Sequence, residues 1–308
     1  MLVDLVVVDP EQRQTYHSAY NPVYAGEVRA PASSITPMPL DPRKVIARRA
    51  ALELVPGAVC NLGSGVSTGI ATVGAEEGIL GEVVLTNEQG LIGGAPVSGN
   101  EVGASRNFWA MVDQPYQFDF YDGGGLDIAF LSFAEVDAEC NVNVSRFANK
   151  IVGPGGFINI SQGARKMVFS GTFTAGGLKL AWPEGRMQVL QEGREHKFVR
   201  ALMQRTYSGA FARERGQEVV YVTERAVFRA IDGVLTLVEI APGADLERDV
   251  LAHMDFRPRI ASDLKVMDAR IFIDTPMGLA GDLAARPPVS RSARLAKTAT
   301  AKAAGSSQ

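Results

Sequence analysis

Ala58-Val59-Cys60-Asn61-Leu62, then Gly63-Ser64-Gly65, then Thr68 to Glu77, then Glu82-Val83-Val84-Leu85-Thr86 decide the fold. The first and last stretches are short, apolar and partly β-branched, as buried strands are. The glycine turn and the intervening run of helical length make a strand–turn–helix–strand unit. Such a unit belongs in a parallel sheet with a right-handed crossover.

Working outward, Asp41 is a good N-cap and Pro42 suits a first helical turn, ahead of Val45, Ile46, Ala50, Leu52 and Leu54. Pro56-Gly57 ends that helix. Before it, Pro10 to Leu40 lacks periodicity and reads as an extended lead-in draped over another surface, and Leu2 to Val8 reads as a buried strand. Beyond the unit, Asp127 to Val136 and Lys166 to Ser170 read as further buried strands. Met187 to Leu190, Phe198 to Thr206, Val219 to Thr223, Ala226 to Ala230 and Val234 to Ile240 read as antiparallel strands, with Asp232-Gly233 as one turn. Asp245 caps a last amphipathic helix through Met254. The fold class is α/β: an open, mainly parallel sheet with helices on both faces and an antiparallel C-terminal section. Three segments follow: an end strand and linker over 1–40, a catalytic domain over 41–283, and a tail over 284–308. The tail, rich in Ala, Ser, Arg and Lys, buries too little to offset its ordering entropy and is expected to be disordered.

The 308 residues are 46% hydrophobic and 21% charged, in the range of ordinary globular proteins. A net charge of −3 disfavours nucleic acid and anionic membranes as partners. Two cysteines, Cys60 and Cys140, form neither a disulfide framework nor a zinc-ligand spacing, and read as buried free thiols in a cytoplasmic protein. No apolar run has the length of a bilayer crossing. His17, His196 and His253 read as exposed or structural.

Glycines cluster at Gly63/Gly65/Gly69, Gly90/Gly93/Gly94, Gly123-Gly124-Gly125, Gly153/Gly155/Gly156 and Gly176-Gly177. Each alone is a tight turn; together they suit a site built from backbone N–H groups at strand ends. Gly63-Ser64-Gly65-Val66-Ser67-Thr68-Gly69 has its third glycine one residue too late for a dinucleotide fingerprint, and no Walker ending follows. In Thr86-Asn87-Glu88-Gln89-Gly90, a carboxylate stands after a buried strand and before a glycine turn. Glu88 there suits a nucleophile or general base, against the plainer reading of a surface glutamate on a turn. In Tyr121-Asp122-Gly123-Gly124-Gly125-Leu126-Asp127, the glycines suit an oxyanion site, and the two aspartates suit either catalysis or turn capping.

These stretches together resemble the carboxyl-terminal half of family I CoA transferases, of the propionate and acetate CoA-transferase type. The resemblance rests on Tyr20-Asn21-Pro22, Arg43 to Ala50, Asn61-Leu62-Gly63, Asp113 to Gly125, Gly171 to Gly177, Ile240 to Gly243 and Met267 to Phe272. It covers the chain to about Leu279. It departs where Ser67 stands in place of a proline that commonly follows the first glycine turn.

The resemblance implies that Glu88, in a Glu-x-Gly motif, is the nucleophile. It further implies CoA transfer from an acyl-CoA to a short-chain carboxylate through a glutamyl-CoA thioester. Gly123, Gly124, Gly63, Gly65 and Gly90 are then the expected oxyanion and CoA-binding positions. No metal or redox cofactor is expected, CoA being a substrate. The expected partners are the acyl-CoA, the carboxylate, and a separate subunit carrying the amino-terminal half or further copies in a homo-oligomer. Two alternatives are a thioesterase and an inactive, truncated scaffold subunit.

Overall fold

Residues 3–147 and 150–290 are described by a computed structural model. Helix α1 (Pro42–Ala51) starts where the sequence predicts, because the Lys44 N–H donates to Asp41 Oδ1 at 2.9 Å and Pro42 presets the first turn. After it, β1 (Val59–Leu62), a short 3₁₀ turn (Val66–Thr68), α2 (Gly69–Glu76) and β2 (Val84–Thr86) form the expected unit, with β1 and β2 parallel.

β3 (Leu91–Ile92) and β4 (Ala110–Met111) extend this edge as antiparallel additions. On the other side lie β5 (Ile128–Ser132), β6 (Lys166–Ser170), β7 (Glu218–Val222), β8 (Ala226–Ile231), β9 (Val234–Ile240) and β10 (Arg259–Val266). One ten-stranded sheet results, in the order β10-β9-β8-β7-β6-β5-β1-β2-β3-β4. Its centre, β2 to β7, is parallel; β8 runs antiparallel to both β7 and β9, and β10 pairs parallel with β9. The β8–β9 turn is Asp232-Gly233, with φ of 57° and 78°, the two positive values that a tight hairpin needs.

Both faces of the central strands are covered, so their sequences run apolar without alternation. Ile128, Phe130, Val168, Val220 and Val222 face one core, shared with α1 and α2. Ala129, Leu131, Met167, Phe169 and Tyr221 face the other. That second core is covered by α3 (Gln114–Asp122), α4 (Phe157–Gly163) and α5 (Gly209–Glu214), and is filled with aromatics; Phe169 stacks on Tyr221 at 5.4 Å and on Phe157 at 5.8 Å.

The lead-in does drape over the molecule. It crosses the ribbon formed by Ala95–Pro96 and Ser105–Arg106, where Thr15 and Ser18 hydroxyls each donate to Glu101 at 2.6 Å. Asn107 then exchanges hydrogen bonds with the Ala30 backbone.

Four expectations need correction. Residues 3–8 form no strand, and Val3, Leu5, Val6, Val7 and Val8 are exposed, since no neighbouring strand pairs with them. Phe198 to Thr206 is irregular: Phe198 is buried for its ring, which packs on Phe173 and Phe228 at 4.8 Å, rather than for a ladder. The Asp245 cap forms, but its helix is a π turn (Leu246–Val250) and a 3₁₀ turn (Leu251–His253), and is followed by α6 (Leu279–Ala284). The first residues of the expected disordered tail are packed: Arg286 donates to the carbonyls of Leu52 and Leu54, and the Val289 N–H donates to Pro56 O. The rest of that tail lies outside the described residues.

Candidate active site

Parallel strands place their carboxyl ends on one edge of a sheet, and loops leaving that edge build sites. Glu88 leaves β2 there. Its turn is closed by three bonds around Asn87: the Asn87 N–H to Leu91 O at 3.2 Å, the Leu91 N–H to Asn87 Oδ1 at 3.2 Å, and the Gly90 N–H to Asn87 O at 3.2 Å. Gly90 has φ of +105°, and a side chain there would strike the Val112 carbonyl, so only glycine completes this turn.

The Glu88 carboxylate is half-buried and has no hydrogen bond or ion pair among the described residues. Burial pushes its pKa up from the ordinary carboxylate value. It lines a cleft with Leu62, Gly63, Ser64 and Thr68 from the first glycine turn on one side. Pro96, Val97, Val102 and Gly103 of the ribbon line another side. Gly156 and Phe118 close in as well: a methyl group on Gly156 would collide with Glu88 Oε2 and the Phe118 ring.

A neutral polar network underlies the turn. Tyr121 is fully buried, and its Oη accepts from Asn61 Nδ2 at 3.1 Å and from Gln117 Nε2 at 2.8 Å. Thr86 Oγ1 donates to Cys60 O at 2.9 Å, so the 2.8 Å contact between Thr86 and Tyr121 is donated by the tyrosine. Gln117 also reaches the Asn87 carbonyl at 3.3 Å. Burial pushes the Tyr121 hydroxyl up, so it stays protonated and keeps this role. The network fixes the backbone that leads into Glu88 while bringing no positive charge to it.

Of the glycines expected at the site, Gly63 lines the cleft, although its N–H continues the ladder to Phe130 O at 2.8 Å. Gly65, with φ of +98°, shapes the turn beside Ser132. Gly90 shapes the Glu88 turn. Gly123 and Gly124 are not at the site. Helix α3 runs from Gln117, beside Asn87, back to the start of β5, which carries its C-terminal glycines to the amino edge of the sheet. There the N–H groups of Gly123 and Gly124 donate to the carbonyls of Asp119 and Tyr121, closing the helix. Asp127 on that same edge accepts from the Val59 N–H and pairs with Arg165 at 3.1 Å, and Asp122 accepts from Asn159. Both aspartates are structural.

The glycine that does abut Glu88 is Gly156, at the end of Gly153-Pro154-Gly155-Gly156 and leading into α4. No hydrogen bond engages the N–H of Gly155 or Gly156 among the described residues. The cluster was visible in the sequence; the signal that distinguishes it is that a helix, not a strand, follows directly. Replacing Gly156 with alanine is expected to lower any Glu88-dependent turnover by about a hundredfold, since small displacements of a reacting group have effects of that order. Steady-state kinetics beside a thermal melt checks this, with the melting temperature expected to move little.

Other chemistries find no centre here. Burial pushes the Cys60 and Cys140 thiols up, so neither is a thiolate nucleophile. Among the described residues no three His, Cys, Asp or Glu side chains converge as metal ligands. No described helix is long and apolar enough to cross a membrane.

No family model matches the chain. It is 50% identical over 278 residues to acetate CoA-transferase YdiF of Escherichia coli (strain K12), an alignment covering 90% of this chain and 52% of that protein. The chain thus spans about half the length of the curated relatives it matches most strongly. A crystal structure of acyl-CoA transferase YdiF from E. coli O157:H7, in a thioester complex with CoA, superposes with a TM-score of 0.82 at 47% identity, over 93% of this chain and 52% of that one. The beta subunit of acetate CoA-transferase from E. coli (strain K12) is 32% identical over 236 residues, which are 73% of this chain and 97% of that subunit. With that subunit matched almost end to end, the chain belongs to the family I CoA transferases.

Proposed function

We propose that this chain carries the catalytic glutamate of a CoA transferase acting between an acyl-CoA and a short-chain carboxylate. The observation that carries the reading is Glu88 itself: a half-buried carboxylate without counter-charge or hydrogen bond, at the carboxyl edge, against two glycine loops. An ion-paired carboxylate would be a poor nucleophile; a partly desolvated one with a raised pKa is a better one.

In this reading the Glu88 carboxylate attacks the acyl-CoA carbonyl and expels CoA thiolate, leaving a mixed anhydride. The thiolate then attacks the glutamyl carbonyl and expels the first carboxylate, leaving a glutamyl-CoA thioester. An incoming carboxylate reverses both steps and regenerates Glu88, with no net proton consumed. In this reading the N–H of Gly156, unengaged among the described residues and next to the Glu88 carboxylate, donates to the oxyanions that form at the glutamyl carbon. No metal or redox group is required. The thioester complex with CoA formed by the YdiF relative supports this sequence of steps.

A separate subunit carrying the amino-terminal half belongs to the same proposal. It is supported by the beta-subunit relative and by the exposed apolar side chains of Val6, Val7, Val8, Trp109 and Met111. A cytoplasmic setting suits two reduced, buried thiols.

The test is exchange of isotopically labelled acetate into acetyl-CoA or propionyl-CoA, with the chain alone and with any adjacent-frame subunit. Label in the thioester pool supports transfer. CoA release without label in the thioester means hydrolysis, and would overturn transfer. The pH dependence follows from the buried carboxylate. Protonation removes the nucleophile, so the acid limb of kcat/KM should lie above the ordinary glutamate pKa of about 4.3. A limb at or below that value would contradict the raised pKa.

A further inference from the structure

The ribbon above Glu88 has features that the proposed reaction does not use. Val97 and Val102 are half-buried and, with Pro96 and Leu62, make one wall of the cleft apolar. Glu88 is the cleft's single charged lining residue. The wall is built to hold its position. The Val97 N–H donates to Ala104 O at 3.1 Å, and the Val102 N–H to Gly99 O at 3.1 Å. Asn87 Nδ2 donates to Gly103 O at 3.1 Å, tying the ribbon to the turn that carries Glu88. The outer end is clamped through Glu101, which accepts from Thr15 and Ser18 of the lead-in.

We infer that Val97 and Val102 form the wall that sets acyl-chain length and turns away dicarboxylic acyl groups. This rests on Glu88 being the nucleophile. The cleft beside Glu88 has a polar part, from Ser64, Thr68, Asn87 and Gln89, and an apolar part with Val97 and Val102, and the alkyl group of an acyl carbonyl within reach of Glu88 is best accommodated on the apolar part. Each methylene buried there is worth roughly fourfold in binding, until the chain meets side chains that cannot move. Because the ribbon is anchored to both the Glu88 turn and the lead-in, it does not yield to a longer chain. A second carboxylate at the far end of the acyl group would be desolvated against valines, and the described residues lining the cleft include no cation to meet it.

The test follows glutamyl-CoA adduct formation by intact mass, with acetyl-, propionyl-, butyryl-, hexanoyl- and succinyl-CoA, in whichever form of the protein yields the adduct. Wild type should react with hexanoyl-CoA and succinyl-CoA at least tenfold more slowly than with propionyl-CoA and butyryl-CoA respectively. The double variant Val97→Ala, Val102→Ala should raise the hexanoyl-to-propionyl rate ratio by about tenfold or more. Val97→Phe should shift the preference towards acetyl-CoA. Thermal melts accompany each variant, and the phenylalanine variant, which leaves no void, guards against a double variant that folds badly. Unchanged ratios in both variants overturn the assignment of the wall, and succinyl-CoA reacting as fast as butyryl-CoA overturns the exclusion of dicarboxylates. Should no thioester give a Glu88 adduct in any form, the nucleophile reading fails first and this inference with it.

Discussion

Glu88→Gln should lower CoA transfer by a factor on the order of 10⁴ or more, without lowering stability. The amide keeps the shape of the carboxylate but cannot attack a thioester carbonyl. Nothing in the fold depends on the charge, for Glu88 has neither hydrogen bond nor ion pair among the described residues. Its raised pKa shows that the native state disfavours the ionised form relative to the unfolded chain. At neutral pH, therefore, the ionised group slightly destabilises the fold, and the variant's melting temperature should equal or exceed that of wild type. Loss of activity together with loss of stability would indicate a structural glutamate. This separation of activity from stability is common where a site holds a strained or poorly solvated group.

Glu53→Ala should have the opposite signature, a large loss of stability arising far from the site. Glu53 is buried just past the end of α1. It bonds to Arg49 at 2.8 Å, Lys166 at 2.6 Å and Arg229 at 3.1 Å, joining the helix to the start of β6 and to β8. Arg49 reaches on to Glu239 of β9 at 2.7 Å. Burial pushes the Glu53 carboxyl up, but the three cations outweigh it and hold its pKa at about 2. Removing it leaves the buried Arg49 and the half-buried Lys166 and Arg229 each with one carboxylate fewer, and breaking a buried pair in this way typically costs about 3–5 kcal/mol. For a chain of this size that corresponds to a fall in Tm of about 10 °C.

The pH dependence follows from the same shift. A folded pKa below the unfolded value near 4.3 gives stability that is present above about 4.3 and is lost as pH falls through about 2. Wild type should therefore lose stability across that window, and the variant should lose less. Urea titrations at pH 7 and pH 3 measure both effects.

The parts of this fold that were legible in the sequence are those where one physical rule dominates. Strands buried on both faces are plain apolar runs, so β1, β2, β5, β6 and β7 stood out. Asp41-Pro42 and Asp232-Gly233 are local signals whose geometry needs no tertiary help. Phe198 to Thr206 misled because aromatic, apolar composition indicates burial, whereas a strand also needs a ladder. Here the pairing is a single parallel bridge of Phe198 to Val136, and the ladder does not continue along the segment. The edge strands β3 and β4, two residues each, fall below any periodicity that a sequence can show.

At the candidate site, Glu88 was legible because a carboxylate directly after a parallel strand must lie on the carboxyl edge. The glycines were not, because composition does not say to which edge a glycine loop belongs. Gly123 and Gly124 precede a strand and so sit at its amino edge, whereas Gly156 precedes a helix and abuts Glu88. The Tyr121 network was also invisible, since Asn61, Thr86, Gln117 and Tyr121 meet only through the packing of α3 on β1 and β2.

The most direct measurement is intact-protein mass spectrometry after incubation with acetyl-CoA or propionyl-CoA, followed by borohydride reduction and peptide mapping. Wild type, alone or with an amino-terminal-half subunit, should gain the mass of a CoA thioester, and reduction should leave an alcohol at residue 88 that Glu88→Gln does not form. An adduct that persists in the variant or maps elsewhere, or its absence with every thioester in both arrangements, would contradict Glu88 as the nucleophile.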